Sequence, residues 1–504
     1  MSLYPIFRKP LLFGLLTISV LAACKKSSDN PPKTGTRDEL TKDSIYLYAR
    51  ETYLWNDALP SSYKSFNPRQ YSSFTDELSA LKSYKRSSAG RPLDKYSFID
   101  QGEVSDEIGE GISGDYGFFV GFNGLEGGYD PLDLRINYVY SGSPAGTAGL
   151  SRGDQILQIN GNSNLDGRVD ANINFLNNAL FGPDRTINLR VRKKDNSIAD
   201  VSVTKARYNI NPILASNVFS VGSKKVGYFV LNSFVQVSGS DTDAPTPFKT
   251  QLDAVLNNFQ SQNITELVVD LRYNGGGSVE TANYLADWFV PAGKSGTVMH
   301  VDHFNQTMQS GKATILKNQK FLYEGKEASY FDFSFAASQN TTKFSKKGSL
   351  GLSRIYFLVT DNSASASELL INSLAPVMDV KLIGHPTYGK PVGFFAIHID
   401  KYDLYIPQFQ TKNQLGAGDY FDGLSVNKEL NDDITKAFGD PTERYLASAL
   451  AYSASGNYTV SSTKTSATAR PSVVMSNERF KEVNNKLEGN KFKGMVDKPR
   501  KRAQ

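Results

Sequence analysis

An apolar strand that runs directly into a glycine turn constrains the fold of this chain more than any other segment. Leu267–Gly277 reads Leu-Val-Val-Asp-Leu-Arg-Tyr-Asn-Gly-Gly-Gly, and a helical pattern follows over Val279–Phe289. Three successive glycines let the backbone approach a ligand closely and direct peptide N–H groups toward it. The segment therefore predicts a strand–turn–helix unit of an α/β core. Many α/β proteins carry such a turn, so alone it specifies no chemistry.

A second strand-to-helix corner adds a reactive group. The apolar run Ile355–Thr360 predicts a buried strand, and Ser363–Glu368 (Ser-Ala-Ser-Ala-Ser-Glu) follows it at the start of a helix. Free N–H groups at such a corner can stabilise an oxyanion. Lys390 lies twenty-five residues after Ser365, and a buried lysine with a lowered pKa can act as the base for a serine. Taken alone, the serine box is equally typical of a tightly packed helix start.

Together these segments resemble the tail-specific, or C-terminal processing, serine proteases. The match rests on Asp-Leu-Arg-x-Asn-x-Gly-Gly, on the serine box and on the Tyr-Gly-Lys that ends at Lys390. The resemblance implies that Ser365 is the nucleophile and Lys390 the general base. It implies an oxyanion hole made by the N–H of Ala366 with that of Gly276 or its neighbour Gly277. It also implies a serine endopeptidase that acts on polypeptide substrates and needs no cofactor.

One position departs from the family pattern. Many members carry a glutamine four residues after the lysine, where it orients the lysine, and this chain has Phe394 there. Tyr388, Glu368, His385 or a backbone carbonyl could orient Lys390 instead, and the sequence does not choose among them. The departure leaves a second function open, a lipid-anchored peptide-binding protein with a degenerate protease core. A third alternative is a hydrolase of small amides or esters.

The length of the chain predicts several domains, because 504 residues are too many for one hydrophobic core. The expected fold class is multidomain α+β, with an N-terminal helical domain, a PDZ-like β domain and, by the resemblance, a crotonase-like α/β protease core. Within that core, residues 300–345 are polar and predict an irregular insertion near the site. Beyond Tyr458 the composition shifts to Ser, Thr, Lys and Asn, which predicts a disordered or loosely helical basic tail. The predicted boundaries are 1–23 for a signal peptide, 24–37 for a tether, 38–110 for the helical domain, 111–207 for the PDZ-like domain, 208–455 for the core and 456–504 for the tail.

Residues 111–207 resemble a PDZ domain in their turns. A proline-alanine turn, a short Ala-Gly-Leu helix and a Gly-Asp turn before a strand occur in order over Gly142–Leu157. PDZ domains bind peptide C-termini by strand addition, with backbone N–H groups that capture the carboxylate. Val169–Leu180 is the expected groove helix, and a spacer role is the alternative. The candidate carboxylate loop and apolar pocket consist of Tyr116, Gly117, Phe118 and Phe119.

The N-terminal segment resembles a bacterial lipoprotein signal. Arg8 and Lys9 precede an apolar run over Leu11–Ala23, which is short for a membrane span. The run ends in Leu-Ala-Ala-Cys at Cys24, where small residues give a signal peptidase access and the thiol takes the lipid. Cys24 is the only cysteine, so no intrachain disulfide can form. We therefore expect a lipid anchor to the membrane of a bacterial cell envelope, either periplasm-facing or in the outer membrane.

Charge and histidine content argue against other classes of partner. The net charge is only +5 and much of it lies in the tail, which argues against a nucleic-acid partner. His300 and His303 are three residues apart but have no nearby Glu or Cys that completes a ligand set, so no metal site is expected. The sequence does not specify an oligomeric state.

Overall fold

Local sequence signals set the ends of most helices and strands in this protein. The computed structural model describes residues 31–239, 244–323, 325–458, 474–488 and 492–497. Within them the chain is a multidomain α+β protein, and the predicted signal peptide with Cys24 lies outside them. No helix among the described residues is long and apolar enough to cross a membrane.

The N-terminal unit is helical, as predicted. It contains α1 (Arg37–Thr52), α2 (Tyr63–Phe66), α3 (Phe74–Ser83) and β1 (Phe98–Asp100). Thr36 caps α1, because its hydroxyl accepts the N–H of Glu39 and the Glu39 carboxylate accepts the N–H of Thr36. The Tyr96 hydroxyl donates to the carbonyl of Gly389 at 2.6 Å. The unit therefore contacts the loop that carries Lys390.

The next unit is a small antiparallel β domain with one long helix. Its elements are β2 (Ile112–Ser113), β3 (Phe118–Leu125), β4 (Gly128–Val139), α4 (Pro144–Thr147), β5 (Gln155–Ile159), α5 (Asp170–Phe181), β6 (Thr186–Arg192) and β7 (Ile198–Thr204). The sheet order is β3-β4-β5-β6-β7, so β3 lies at one edge. The rings of Phe119 in β3 and Phe181 in α5 lie 6.1 Å apart. The predicted groove helix therefore faces an edge strand, as strand addition requires.

The core follows as an alternation of strands and helices. Its elements are β8 (Tyr208–Asn209), β9 (Ile213–Val221), β10 (Lys224–Leu231), α6 (Pro247–Ser261), β11 (Glu266–Asp270), β12 (Gly276–Ser278), α7 (Val279–Phe289), β13 (Val298–Phe304), α8 (Gln306–Gln309), β14 (Lys320–Tyr323), β15 (Lys326–Ser329), β16 (Thr341–Lys343), β17 (Arg354–Val359), α9 (Ala366–Leu374), β18 (Asp379–Gly384), β19 (Val392–Gly393), β20 (Ile397–Ile399), β21 (Tyr402–Tyr405), β22 (Phe409–Asn413), β23 (Lys428–Glu429) and α10 (Arg444–Ser455).

A six-stranded sheet organises this core. Its order is β23-β18-β17-β11-β10-β9, and every pair is parallel except β10 with β9. The neighbours β11 and β17 run in register from Glu266 opposite Arg354 to Asp270 opposite Leu358. Both strands are almost entirely buried, which agrees with the apolar residues at their centres. Their carboxyl ends meet at one sheet edge, where ligands bind in open α/β folds.

One sequence prediction about irregular segments is wrong, and a second, the disordered or loosely helical tail, is corrected only for the residues that the structure describes. Residues 300–345 are not irregular, because β13 pairs with β16 and β22 in a four-stranded sheet of order β16-β13-β22-β19. The tail, where the structure describes it, forms an ordered helix α11 (Asn477–Glu488) and a strand β24 (Gly494–Val496). β24 pairs in parallel with β12, the strand of the glycine turn.

A buried ion network joins the β domain to the core. Arg152 of the β domain and Arg272 at the end of β11 both donate to Asp432 Oδ1, at 2.8 and 2.6 Å. Arg272 also pairs with Asp270 and Glu443. Burial alone would raise the pKa of Asp432, but the two guanidinium groups lower it to about 2. The arginine of the Asp-Leu-Arg motif therefore has a structural role at the domain junction.

Candidate active site

The two strand-to-helix corners are held together by Asn274. Its backbone carbonyl accepts the N–H of Ala364 at 3.0 Å and the hydroxyl of Ser367 at 3.1 Å. Its side-chain amide donates to the carbonyl of Leu231 at 2.9 Å, and its Oδ1 accepts the N–H of Gly276 at 2.8 Å. The asparagine of the strand-turn motif thus fixes the glycine turn against the serine turn.

Of the three serines in the box, only the middle one has a free hydroxyl. Ser363 Oγ donates to the carbonyl of Leu271 at 2.7 Å, and Ser367 Oγ donates to Asn274. Ser365 Oγ is buried and has no hydrogen-bond partner among the residues that the structure describes. Ser365 also has φ 59° and ψ −101°, a strained conformation for a residue with a side chain. Strain and an unpaired hydroxyl single out the serine that the sequence predicts as nucleophile.

Glu368 binds the backbone of both predicted catalytic residues. Its Oε2 accepts the N–H of Ser365 at 2.7 Å and the N–H of Lys390 at 2.8 Å. Its Oε1 accepts the Thr387 hydroxyl at 2.5 Å and the N–H of Gly389 at 2.7 Å. Complete burial raises the pKa of Glu368, and these four hydrogen bonds oppose that rise. Because all four partners donate, we infer that the side chain is an ionised carboxylate.

Lys390 has the environment of a lysine base. Its side chain is fully buried, and burial lowers the pKa of Lys390 well below its usual value, although the carboxylates of Asp94 and Glu368 oppose the shift. Its Nζ donates to the backbone carbonyl of Lys493 at 2.6 Å and lies 3.6 Å from the centroid of the Phe394 ring. The aromatic residue at the glutamine position therefore contacts the lysine through its ring face.

The other candidates for orienting Lys390 do not contact its amine. Glu368 binds its backbone only. The Tyr388 ring lies under the ammonium group of Lys95, at 4.3 Å. His385 pairs with Asn431 at 2.6 Å, as a loop histidine with its own partners. Of the alternatives left by the sequence, a backbone carbonyl is the one that the structure shows.

The predicted oxyanion hole needs one correction. The N–H of Gly276 already donates to Asn274 Oδ1, so it is not directed at a ligand. Of the two glycines that the resemblance offered, Gly277 is then the candidate partner for Ala366. A Cβ atom on Gly276 would lie 3.1 Å from the nitrogen of Ala366, which places the turn directly beside that N–H.

The predicted peptide-binding residues divide into two groups. Gly117, Phe118 and Phe119 line a cavity of about 430 Å³ that extends to Gly275 and Gly276. Tyr116 does not line it, and its hydroxyl donates to the carbonyl of Asp184 at 2.9 Å. The N–H of Gly117 donates to Asp115 Oδ1 at 2.8 Å and is therefore already bonded. The structure joins the β domain to the glycine turn but does not leave Gly117 as a free donor.

The two spaced histidines lie apart from this site. His300 is buried between Asp302 and Asn283, each 3.0 Å from a ring nitrogen. Across the described ranges, no group of three or more His, Cys, Asp and Glu side chains is arranged to hold a metal ion.

Sequence reasoning missed three contributors to the site. Asn274 belongs to the Asp-Leu-Arg-x-Asn motif. Its role could have been inferred, because an asparagine side chain can accept a hydrogen bond from a backbone N–H two residues later in a turn. Tyr96, whose ring centroid is 5.4 Å from Lys390 Nζ, and Lys493 come from distant parts of the chain. No local pattern marks either of them.

Replacing Glu368 with glutamine tests whether its hydrogen bonds hold the two predicted catalytic residues, Ser365 and Lys390, in place. In Glu368→Gln a carboxylate oxygen becomes an NH₂ group that faces N–H donors. We expect unfolding free energy to fall by about 1–3 kcal/mol, measured by urea unfolding at pH 7.

Glu77→Gln is the matched control, because Glu77 is equally buried but neither of its oxygens has a hydrogen-bond partner within the described ranges. Burial raises the pKa of Glu77 to about 9, so it is already neutral at pH 7 and the same substitution should change little. Equal losses in the two variants would contradict this role of Glu368.

Comparisons with known proteins agree with this architecture. Residues 225–406 match the model of peptidase family S41, and residues 135–170 match that of the PDZ domain. A "Probable CtpA-like serine protease" of Staphylococcus aureus is 25% identical over 299 residues, 59% of this chain and 49% of the relative. The carboxy-terminal processing protease CtpA of Bacillus subtilis is 24% identical over 302 residues, 59% of this chain and 52% of the relative.

The matched stretch spans about half the length of these curated relatives. A crystal structure assigned to the S41 proteases, from Bacteroides fragilis NCTC 9343, is 25% identical. It covers 82% of this chain and 97% of its own, with a TM-score of 0.58. These matches agree with the predicted resemblance: residues 225–406 of the core are similar to peptidase family S41, and residues 135–170 of the unit before the core are similar to the PDZ domain.

Proposed function

We propose that this chain is a serine endopeptidase in which Ser365 attacks the peptide carbonyl and Lys390 is the general base. The observation that carries the proposal is the pairing of an unbonded Ser365 hydroxyl with a fully buried Lys390, both held through their backbones by Glu368. Burial lowers the pKa of the Lys390 amine well below its usual value and so favours the neutral form that a base requires.

The residues can be assigned to each step of acyl transfer. Ser365 Oγ bonds to the carbonyl carbon and gives its proton to Lys390 Nζ. The N–H groups of Ala366 and Gly277 stabilise the oxyanion. The C–N bond then breaks, and the leaving amine takes the proton from Lys390. A water molecule then gives a proton to Lys390 and attacks the ester carbonyl carbon. The bond from that carbon to Ser365 Oγ breaks, and Ser365 Oγ takes the proton back from Lys390.

The alternative is a peptide-binding protein with a degenerate core, which Phe394 favours because it replaces the glutamine of many family members. Against it, the ring of Phe394 packs on Lys390 Nζ and preserves its burial. A small-amide or ester hydrolase would use the same residues. A PDZ domain beside the site favours peptides as substrates.

Substitution of the two residues separates enzyme from binding protein. Ser365→Ala and Lys390→Ala should each lower kcat on an unstructured polypeptide by several orders of magnitude, and the double variant little further, because the pair acts as a unit. Ser373→Ala is the control, since Ser373 Oγ is also buried without a partner in the described chain but lies toward the far end of α9. Cleavage that persists in either single variant would refute the assignment.

The pH dependence provides a second readout of the same pair. Only neutral Lys390 accepts a proton, so kcat/KM should rise with pH through the lowered pKa of Lys390 and then level off. A rate that is constant from pH 6 to pH 10 would contradict a lysine base.

We further propose that the PDZ domain presents substrate C-termini to Ser365, because one cavity connects Gly117–Phe119 with the glycine turn. Arg207 lines this cavity, where it pairs with Asp106 at 3.1 Å, and a terminal carboxylate would compete with Asp106 for this cation. A peptide with a free, apolar C-terminus should be cleaved faster than its amidated form, and Arg207→Gln should reduce the difference. Arg190→Gln, at an exposed position of β6 in the same domain, should leave the difference unchanged. Equal cleavage of the two peptides by the parent protein would make the domain a spacer.

We also propose that the protein is a lipid-anchored component of a bacterial cell envelope, on the Leu-Ala-Ala-Cys sequence that ends at Cys24. Mass spectrometry of membrane-extracted protein should find Cys24 as a lipidated N-terminus after cleavage behind Ala23. A different N-terminus, or a free Cys24 thiol, would refute this proposal.

A further inference from the structure

A C-terminal helix of the chain is fixed to the PDZ domain. The Phe480 ring of α11 stacks on the Tyr129 ring of β4, with centroids 3.5 Å apart and planes 4° apart. Val483 and Leu487 are buried. Arg479 and Lys486 both pair with Asp170 at the start of α5, at 2.8 and 3.0 Å. The apolar contacts, rather than the exposed ion pairs, hold this helix in place.

The strand that follows enters the candidate active site and is hydrogen-bonded on both sides. On one side, the N–H of Gly494 donates to the carbonyl of Gly275 at 2.9 Å, and Gly494 lies in register with Gly276. On the other side, the N–H of Phe394 donates to Met495, and the N–H of Asp497 donates to Phe394, both at 2.9 Å. An extended peptide bound by main-chain bonds on both edges has the arrangement expected of a protease substrate.

The glycine turn is shaped to this segment. A Cβ atom on Gly275 would lie 2.2 Å from the carbonyl oxygen of Phe492, and one on Gly276 would lie 2.2 Å from that of Gly494. No side chain fits at either position while the tail is present. The same Cβ position on Gly276 lies 3.1 Å from the nitrogen of Ala366, so the Gly494 carbonyl and the Ala366 N–H both border the glycine turn at Gly276.

The tail also binds the catalytic lysine. Lys390 Nζ donates to the carbonyl of Lys493 at 2.6 Å, while Ser365 Oγ has no partner in the described part of the chain. The hydrogen bond between serine and lysine is therefore not made while the tail is bound. Phe492 adds an aromatic contact, 6.0 Å from the ring of Phe98.

We propose that the described tail residues, 474–488 and 492–497, form a ligand of the chain's own active-site cleft, which occupies the position of a substrate and must leave before a polypeptide is cleaved. The occupant is an extended peptide with a glycine opposite Gly276 and an aromatic residue two positions earlier. The predicted effect of the tail on cleavage rests on the proposed peptidase function. The docking of the tail does not, because it can be measured without any cleavage.

A substitution in the tail alone can release it. A Cβ atom on Gly494 would lie 2.6 Å from Phe492 and 3.0 Å from Phe394, so Gly494→Val should expel the strand without altering a catalytic residue. Phe480→Ala, which removes the stack on Tyr129, is a second variant that acts at the helix. Gly351→Val is the matched control, because nothing lies within 4 Å of the Cβ position of Gly351.

The first experiment measures docking without activity. Four proteins that lack residues 1–24 and carry Ser365→Ala are compared by hydrogen exchange with mass spectrometry. They are the parent, Gly351→Val, Gly494→Val and Phe480→Ala. Amides of residues 492–497 should be protected in the parent and in Gly351→Val, and should exchange faster in Gly494→Val and Phe480→Ala. Equal, rapid exchange of these amides in all four proteins would overturn the proposal.

The second experiment measures cleavage of an unstructured polypeptide by the same variants with Ser365 intact. If the tail occupies the cleft about nine-tenths of the time, its release should raise kcat/KM about tenfold, with Gly351→Val unchanged. Release of the tail without any increase in an active enzyme would overturn its role as a competitor. Protection of the tail in the parent, together with no cleavage even by the variants that release it, would uphold docking and refute the proposed peptidase instead.

Discussion

One buried carboxylate, that of Glu368, determines the geometry of the candidate active site. A buried charge is stable only when hydrogen bonds replace its water, and Glu368 obtains four such bonds, two of them from the backbones of Ser365 and Lys390. It also lies in the first turn of α9, where the helix dipole favours a negative charge. The strained φ of Ser365 persists because these bonds hold its N–H in place. Hence the strain of the serine and the position of the lysine have one cause.

The sequence predicted those parts of the fold that depend on local patterns. Helix α7 begins and ends at the predicted residues, Val279 and Phe289, because an apolar periodicity follows a glycine turn. The four-stranded sheet of the insertion was not predictable, since its strands are short and β13 pairs with β22, a strand about a hundred residues later. Such pairing depends on contacts distant in sequence, which no local window contains.

The candidate site likewise contains features that a local motif predicts and features that depend on tertiary contacts. Ser365 and Lys390 were identifiable because their residue types and spacing match a motif. The hydrogen bond from the Gly276 N–H to Asn274 depends on the conformation of the Asn274 side chain, which the sequence does not specify. The contact between the Phe394 ring and Lys390 depends on tertiary packing. A ring in place of an amide cannot accept a hydrogen bond. The lysine amine therefore has the face of an aromatic ring and the carbonyl of a tail residue as its neighbours.

The described tail residues form a helix and a strand, although their amino-acid composition predicted disorder or a loose helix. Low apolar content predicts disorder when a segment must build its own core, but this segment adds to existing surfaces. Its helix buries few side chains, and Phe480, Val483 and Leu487 recur at the three- and four-residue spacing of one helix face. Its strand is held mostly by backbone hydrogen bonds that any extended peptide can make. Attachment of this kind is specific in place but modest in strength, which suits an occupant that a polypeptide substrate can replace.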